Sequence, residues 1–598
     1  MSSYLQHTTD LLVIGAGLAG ERTAIEAAAN GLKVIIISLV PPRRSHSTAA
    51  QGGMQASLGN SYMGHDDSPD LHFEDTVIGS DWGCEQPVAR LFAEEAPQAV
   101  REVAAWGMPW NRVEAGPWRT ADGRLIIEKE TSSGLIAARN FGGTQKWRTC
   151  YSADSTGHCL QYTLDNQVLK YGIEVRDRVE AVTLIHDQVS CYGAIIRCLR
   201  NGNLESYRAR ATVIATGGCG RLYYDSTNAV INEGSGMALA LETGIVPLAN
   251  MEAVQFHPTG IVPSAILITE GARGDGGYLL DKNLHRFMPD YEPQKKELAF
   301  RDVVSRCMTM HMEQGFGIED EYGSHLWLDI RHLGTCHIKS KLPGIADICQ
   351  TFNGLDPVAD LIPVRPVQHY SMGGIRTNLE GAAYGLKGLF AVGESACWDL
   401  HGFNRLGGNS LAETLVAGRV TGRHIVKYLH DLQPEIPAEL IRHTQRKEYQ
   451  RLKTLRERSH GEGLYPILAE VKNTMTNKVG IFRNDSDLSV AVGKLQELLE
   501  RSYHIKLQSH DHPNSPEVSL ALRLPGMIKL ALCITLGARQ RTESRGSHYR
   551  TDYPVRDDQN WLKRTLATWP KECNLPKLNY EPVTITELHP QQRASGGC

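Results

Sequence analysis

Near the start of the chain, apolar and glycine-rich stretches alternate in a pattern typical of a nucleotide-binding unit. An apolar run over residues 11–14 leads into the glycine-rich run GAGLAG (15–20), an alanine-rich stretch and a second apolar run over residues 33–37. The pattern predicts a strand, a helix and a second strand, with a G-x-G-x-x-G motif at the first turn. This arrangement is typical of a dinucleotide-binding βαβ unit.

The motif assigns a separate task to each glycine. Gly15 permits the tight turn, Gly17 lets the backbone approach a pyrophosphate, and Gly20 allows the helix to pack closely on the strand. The helix N-terminus faces the phosphate charge. Ser38 ends the second strand, where an acidic residue commonly holds a ribose. This departure weakens the NAD interpretation, although a serine hydroxyl can still donate to a ribose hydroxyl.

Two distant segments repeat the pattern of an apolar strand that runs into a glycine turn. They cover residues 209–220 and 385–396, and the second ends near Glu394. A carboxylate at a strand end can accept hydrogen bonds from ribityl hydroxyls. Each segment alone is typical of an ordinary buried strand, but together with the first unit they predict one FAD-binding domain that is split along the chain.

In the last third of the chain, apolar residues recur at the spacing of an α-helix. Residues 436–458, 486–504 and 519–542 carry apolar positions at helical spacing, which predicts a helical domain whose apolar stripes form its core. The segment from residue 554 onward is rich in proline and tryptophan and is predicted to be irregular.

Length, charge and cysteine spacing limit the classes of protein to which the chain can belong. A chain of 598 residues exceeds one hydrophobic core, so we expect two to four domains. Its net charge of −4 argues against nucleic-acid binding. No run reaches the roughly 18 apolar residues that span a bilayer, and the N-terminus lacks secretory features, so we expect contact with a membrane only through a partner. The 13 cysteines show no CxxC spacing, which predicts reduced thiols and no metal or iron–sulfur site in this chain.

Five further runs are dense in functional side chains: residues 250–260, 267–277, 298–307, 366–375 and 400–413. The candidate functional residues in these runs are His257, Thr269, Glu270, Arg273, Arg301, His369 and Arg405. Two histidines, a threonine and an arginine suit the binding of two carboxylates. Glu270 and Arg273 lie three residues apart and can pair. No nucleophile motif such as G-x-S-x-G is present.

A structural role is an alternative for each of these residues taken singly. His257 precedes a proline and could simply bind backbone, and Arg301 followed by Asp302 could be a surface ion pair. Their occurrence beside a predicted flavin domain favours a functional role.

Long stretches of the sequence carry a family resemblance. They are RSHSTAAQGGMQASLGN (44–60), GSDWGCEQPVARLF (79–92), FGGTQKWRTCY (141–151), HRFMPDYEPQKKELA (285–299) and TESRGSHYRTDYPVRDDQNWLKRTLATWP (542–570). On these stretches the chain resembles the flavoprotein subunits of the succinate dehydrogenase/fumarate reductase family along essentially its whole length. It is most similar to the quinol:fumarate reductase type whose partner is a dihaem cytochrome b.

The resemblance implies a covalent flavin. His46 matches the histidine that is joined through a ring nitrogen to the 8α-methyl of FAD, and Glu233 stands where many relatives carry aspartate. Soluble fumarate reductases and L-aspartate oxidase lack a histidine here, so His46 favours the membrane-complex subgroup. The positions that match FAD contacts are Gly15, Ala16, Gly17, Gly20, Ser38, Ser45, His46, Ser47, Gln51, Gly52, Gly53, Glu233, Glu394, Ser410 and Leu411.

The resemblance also assigns the reaction, which is the reduction of fumarate to succinate. His369 and Arg405 are implied to hold one substrate carboxylate, and His257 and Thr269 the other. Reduced flavin N5 delivers a hydride to one alkene carbon. Arg301 matches the family's proton donor to the other carbon, with Glu270 and Arg273 as the relay that resupplies it.

Three alternatives stay open. Succinate oxidation is the reverse reaction at the same site. A soluble L-aspartate oxidase-like enzyme is disfavoured by His46 and by the C-terminal matches. A non-catalytic electron-transfer module is disfavoured by the concentration of histidines and arginines in the matching runs.

The expected fold class is α/β. A Rossmann-like FAD-binding domain (1–258 and 364–435) is interrupted by an α+β capping domain (259–363), and a helical domain (436–553) and an irregular segment (554–598) follow. The substrate is expected at the interface of the first two domains, where closure of the cap expels water. The resemblance implies an iron–sulfur subunit and a membrane cytochrome b as partners, with this chain as a peripheral subunit on the cytoplasmic face of the inner membrane.

Overall fold

The computed structural model describes residues 5–60, 62–113, 118–119, 125–127, 134–431, 436–509, 512 and 514–593. It has the mixed α/β fold that the sequence predicts, with a helical C-terminal region.

A seven-stranded sheet forms the centre of the FAD-binding region. The apolar run 11–14 lies at the end of the strand Gln6–Ile14, which pairs in parallel with Val34–Ile37 and with Leu204–Ile214. Leu389–Ala391 joins the end of Leu204–Ile214, also in parallel. The three segments that the sequence analysis connects therefore meet in one sheet. The strand order is Glu174–Arg176, Val34–Ile37, Gln6–Ile14, Leu204–Ile214, Cys191–Cys198, Val179–His186, with Leu389–Ala391 beside Leu204–Ile214.

Both faces of this sheet are covered. Leu11 and Val13 belong to one hydrophobic core, whereas Leu12 and Ile14 belong to another, because successive side chains on a strand point to opposite faces. The first core includes residues from the helices Leu18–Ala29, Pro69–Gly79, Gln86–Ala105, Thr156–Lys170 and Asn409–Asp431; the second includes residues from Ser235–Leu241 and from the C-terminal helices.

The capping region has a four-stranded sheet and its own core. The long strands Val254–Ile261 and Ile362–Ser371 pair in one antiparallel ladder and cross both predicted domain boundaries. The chain therefore enters and leaves the cap side by side. The other strands are Leu326–Asp329 and Tyr278–Leu280, and the helices are Glu270–Gly274, Met288–Tyr291, Arg301–His311, Thr335–Lys341 and Pro343–Asn353.

The C-terminal region contains the three predicted helices and one that the periodicity did not indicate, Leu464–Lys478. The helices are Ala438–Glu457, Leu464–Lys478, Asp485–Ser502 and Pro516–Gln540. By length and composition Pro516–Gln540 could cross a membrane, contrary to the expectation from the apolar runs, but 78% of its most apolar window is buried inside the protein.

The segment from residue 554, predicted to be irregular, contains regular elements that cover less than half of its described residues. The short helix Asp558–Trp561 precedes the strands Lys563–Thr568 and Lys577–Pro582. Arg564 lies in this hairpin and is buried against Asp399, at 2.6 Å. A buried arginine breaks the apolar pattern, which explains why the strand was not predicted. The five-stranded sheet has the order Ala396–Cys397, Gly374–Arg376, Leu248–Ala249, Lys563–Thr568, Lys577–Pro582.

Three small sheets complete the described structure: Met54–Gln55, Thr149–Cys150 and Ala138–Arg139; Phe482–Arg483 with Tyr549–Arg550; and Trp118–Arg119 with Leu125–Ile127. Eleven of the described cysteines are free. Cys307 is disulfide-bonded, so the expectation of reduced thiols is wrong at that residue.

Candidate active site

A cavity of about 790 Å³ runs from the glycine-rich turn of the central sheet to the capping region. This volume is in the range of small-molecule and cofactor sites, and its place at the carboxyl ends of parallel strands is where ligands bind in such folds. The predicted residues that line it are Gly15, Ala16, Gly17, Ser38, Ser45, His46, Ser47, Gln51, Gly52, Gly53, His257, Thr269, Glu270, Arg301, His369, Glu394, Arg405, Ser410 and Leu411.

One end of the cavity has the features of a phosphate site. The helix Leu18–Ala29 begins at Gly17, which lines the cavity and provides no side-chain cap, so the N-terminus of the helix lies at the cavity. The amide of Leu18 donates to the Ser47 hydroxyl at 3.2 Å. Gly15 has a φ of +119°, and a Cβ there would lie 2.1 Å from the Ala215 carbonyl oxygen. Gly20 does not line the cavity. Because it has no Cβ, the helix can pack closely against the turn at Gly15. These features fit a bound dinucleotide.

Two predicted carboxylates occupy different surroundings. Glu394 lines the cavity and accepts a hydrogen bond from the Ser371 amide at 2.9 Å; burial raises its pKa to about 7. Glu233 does not line this cavity. It accepts a hydrogen bond from Arg523 Nε at 2.8 Å, and Arg523 is the residue that reaches the cavity. Glu233 therefore lies behind Arg523, and its contact with FAD stays a prediction.

His46 begins the short 3₁₀ helix His46–Ala49 in the wall of the cavity. Its Nδ1 accepts a hydrogen bond from the Ala229 amide at 3.3 Å, which leaves Nε2 for the cavity. Burial, together with the charges of Arg221 and Arg405, lowers the pKa of His46 to about 4. The imidazole is therefore neutral at pH 7, the form in which a ring nitrogen can make a covalent bond.

Two more histidines, His257 and His369, line the cavity with their rings in contact, at a centroid distance of 4.9 Å. Nδ1 of His257 accepts a hydrogen bond from the Thr259 amide at 3.2 Å, and Nδ1 of His369 is hydrogen bonded to the Thr227 hydroxyl at 2.7 Å. Burial and nearby arginines lower the pKa of both histidines well below the ordinary value. Both are neutral donors at pH 7.

Arg405 supplies positive charge beside His369. Its Nη1 donates to the Ser410 hydroxyl at 2.8 Å, its guanidinium lies 4.5 Å from the centre of the Tyr370 ring, and its Nε has no partner among the described residues. Burial and the charge of Arg301 lower its pKa to about 9. A buried guanidinium with an unused donor is suited to bind an anion.

Arg301 is held by a carboxylate from the same capping region. Its Nε donates to Glu270 Oε2 at 2.6 Å, and its Nη1 lies 3.4 Å from Gln255 Oε1. Glu270 Oε1 in turn accepts a hydrogen bond from the Gly142 amide at 2.7 Å. Burial alone would raise the pKa of Glu270, but Arg301 and Arg273 lower it below the ordinary value. Glu270 is ionised at neutral pH.

Two known protein families match most of the chain. Residues 10–411 match the family described as FAD binding domain, and residues 468–595 match the fumarate reductase flavoprotein C-term. The chain is 48% identical to a fumarate reductase flavoprotein subunit of Helicobacter pylori, over 98% of this chain and 87% of that protein. It is 38% identical to a succinate dehydrogenase flavoprotein subunit of Rickettsia conorii, over 98% of this chain and 96% of that protein.

The chain belongs to the fumarate reductase/succinate dehydrogenase flavoprotein family. An E. coli quinol fumarate reductase FrdA structure matches with a TM-score of 0.91 and 36% identity, over 99% of this chain and 100% of that chain. As a member of this family, the protein is an FAD-binding oxidoreductase subunit.

In this flavoprotein Arg273 lies outside the cavity lining. It donates through Nη1 to the Glu297 carbonyl oxygen, and its Nε and Nη2 have no partner among the described residues. Glu270 and Arg273, which the spacing allows to pair, form no direct hydrogen bond, although the charge of Arg273, after that of Arg301, contributes to the lowered pKa of Glu270. The two residues are coupled electrostatically instead.

The sequence analysis missed Gln255, which positions both arginines of the site. Its Nε2 donates to the Arg405 carbonyl oxygen at 2.8 Å, while its Oε1 faces Arg301. A signal was present, because Gln255 lies two residues before His257 on the strand Val254–Ile261, and alternate residues of a strand share a face.

Proposed function

We propose that this flavoprotein reduces fumarate to succinate as the catalytic subunit of a membrane-bound quinol:fumarate reductase. The observation that carries the proposal is the convergence of His257, His369, Arg405 and Arg301 on one cavity. Neutral imidazole donors and two guanidinium groups make this part of the cavity a site for a small dianion. The nucleotide end of the same cavity gives it a cofactor that transfers hydride.

FAD fits the remainder of the cavity. The N-terminus of Leu18–Ala29 suits the pyrophosphate, and Glu394 and Ser38 stand at strand ends where ribityl and ribose hydroxyls bind. When bound and reduced, FAD supplies the hydride. We place the covalent link at His46, because its Nδ1 is occupied and its neutral Nε2 is available.

The substrate carboxylates are assigned to two pairs of residues. His369 and Arg405 bind one carboxylate, and His257 and Thr269 bind the other. Thr269 is the N-cap of the capping helix Glu270–Gly274, so closure of the cap brings it to the substrate. Twisting one carboxylate out of conjugation polarises the double bond, so these contacts favour the transition state over bound fumarate.

Arg301 donates the proton that completes the reduction. A proton leaves its guanidinium for the alkene carbon that does not receive the hydride, and the carbanion character that develops on that carbon makes it basic enough to accept it. Glu270 returns a proton to Arg301, since the two side chains are already hydrogen bonded. The charges of Arg301 and Arg273 keep Glu270 ionised between turnovers, and the proton that Glu270 passes to Arg301 reaches it from solvent by way of Arg273.

The same groups serve succinate oxidation in reverse, and the relatives include succinate dehydrogenase flavoprotein subunits. We favour the reductive direction because the Helicobacter pylori fumarate reductase flavoprotein subunit is more similar to this chain.

The structural neighbours include a quinol fumarate reductase with menaquinol molecules, which matches with a TM-score of 0.90. By this likeness we propose an iron–sulfur subunit and a quinol-oxidising membrane subunit as partners. From the resemblance of the sequence we further propose that the membrane subunit is a dihaem cytochrome b. The chain then acts as a peripheral subunit on the cytoplasmic face of the inner membrane.

A substrate panel tests the proposal. The purified flavoprotein, with its FAD content measured, is assayed with a reduced viologen as electron donor. We expect fumarate-dependent dye oxidation with succinate as product. The reaction with monoethyl fumarate should be much slower, because one of the two pairs of carboxylate-binding residues then has no charged group to bind. Oxidation of L-aspartate by oxygen without turnover of fumarate would overturn the proposal in favour of an aspartate oxidase.

A further inference from the structure

A buried ion pair joins the C-terminal segment to the helix that begins with Arg301. Nη1 of Arg593 donates to Asp302 Oδ2 at 2.8 Å, and Nη2 donates to Asp302 Oδ1 at 3.1 Å. The Arg593 side chain is 9% exposed and that of Asp302 is fully buried. Two parallel hydrogen bonds fix both the distance and the orientation of such a pair.

Arg593 also contacts the residue on the other side of Arg301. Its guanidinium lies 3.9 Å from the centre of the Phe300 ring, and its Nη2 donates to the Gly79 carbonyl oxygen at 3.4 Å. Phe300 is the N-cap of the helix Arg301–His311 and provides no side-chain cap. One arginine therefore contacts both sequence neighbours of the proposed proton donor and the FAD-binding region at the same time.

The segment that carries Arg593 is itself fixed to the FAD-binding region. Gln86 accepts hydrogen bonds from the amides of Glu587 and Leu588 at 2.8 and 3.1 Å, and it donates to the Leu588 carbonyl oxygen at 2.7 Å. Arg90 donates to the Glu587 carboxylate at 3.0 Å. The segment that carries Arg593 is therefore anchored to the helix Gln86–Ala105.

We propose that Arg593 is a positioning residue that clamps the start of the helix Arg301–His311 onto the FAD-binding region and so holds Arg301 at the cavity. The inference rests on the proposed role of Arg301 as proton donor. Asp302 has a second partner, Arg306, but that residue lies on the same helix and cannot tie its start to the segment at Glu587. Loss of Arg593 leaves Arg301 with Glu270, and the helix stays tied through Ser305 and Arg306, but its first residues lose their contacts with the C-terminal segment.

The test compares R593Q with R331Q in the FAD-loaded enzyme. Arg331 forms an exposed ion pair with Asp329 in the same capping region, so R331Q is a matched control. We expect R593Q to lower kcat for fumarate roughly 10- to 100-fold, because small misplacements of catalytic groups have effects of this size. Amide hydrogen exchange over residues 300–306 should accelerate in R593Q, while FAD content and exchange in the central sheet stay unchanged.

Two further variants separate positioning from general destabilisation. R593K retains the charge without the paired geometry and should recover part of kcat. D302N combined with R593Q should lower kcat by less than the product of the two single effects, because both substitutions break the same Arg593–Asp302 ion pair. If R593Q keeps kcat within twofold of the wild type and unchanged exchange over 300–306, the clamp is overturned. If the wild type does not turn over fumarate, the proposed function fails, and the exchange data still decide whether the clamp exists.

Discussion

Nε and Nη2 of Arg301 contact the same carboxylate oxygen of Glu270, at 2.6 and 2.5 Å. The other oxygen of Glu270 accepts the Gly142 amide from the FAD-binding region. This carboxylate therefore orients the guanidinium and joins the cap to the rest of the site. The pairing explains how an arginine can act as a proton donor, because the group that reprotonates it is already in place.

The first prediction concerns the flavin link. H46A should bind FAD without a covalent bond, because His46 Nε2 is the atom assigned to the link. After acid precipitation and denaturing electrophoresis, the wild-type band should show flavin fluorescence and the H46A band none. H158A is the matched control, since His158 lines the same cavity and should leave the fluorescence intact. A fluorescent H46A band would place the link elsewhere.

The second prediction concerns pH. Burial and Arg301 lower the pKa of Arg405 to about 9, so its charge is complete at pH 7 and is lost as the pH rises through that value. In kcat/KM for fumarate, which reports the free enzyme, we expect a plateau from pH 6 to about 8.5 and then a fall that approaches tenfold per pH unit. The kcat limb should lie at higher pH, because bound fumarate stabilises the charged form. Samples returned to pH 7 should regain full activity; a kcat/KM profile that stays flat to pH 10.5 would contradict the role of Arg405.

The third prediction concerns stability. Glu543 is fully buried and accepts hydrogen bonds from Arg541 and Arg545, each at 2.9 Å. E543Q removes the carboxylate that two buried guanidinium groups share, while Arg541 keeps Glu252 and Arg545 keeps Asp558. Because each arginine loses one charged partner, we expect a cost of about 1–3 kcal/mol in the free energy of unfolding. E439Q removes an exposed partner of Arg442 and should cost about 0–1 kcal/mol. Thermal unfolding should show a clear drop in midpoint for E543Q alone, and equal midpoints would contradict the account.

The fold was largely predictable because most of its helices and strands follow from the local spacing of apolar residues and glycines. The apolar run 11–14 with the glycine motif sets the first strand, turn and helix, and the helical period predicted Pro516–Gln540. The hairpin that contains Arg564 was missed because its buried position is satisfied by ion pairs with Asp399 and Glu85 rather than by an apolar side chain. Such partners lie far away in sequence, where periodicity carries no information.

The candidate site, too, could be predicted from the sequence only in part. Motif positions such as Gly17 and His46 line the cavity as predicted, but the sequence alone could not show which neighbour each side chain takes. Glu233 is a carboxylate beside a glycine turn, yet Arg523 from a distant helix pairs with it. Arg273 has the spacing to pair with Glu270 but donates to a carbonyl oxygen instead. These outcomes depend on tertiary contacts.

The most direct test of the account is the rate of viologen-dependent fumarate reduction by R301Q, compared with the wild type at equal covalent FAD content. Gln cannot supply the proton, so we expect kcat to fall by roughly 10³-fold or more, a size typical of the loss of a general acid, with FAD binding unchanged. A wild-type enzyme that reduces fumarate and an R301Q variant that retains more than a tenth of its kcat would contradict the assignment of Arg301 as the proton donor.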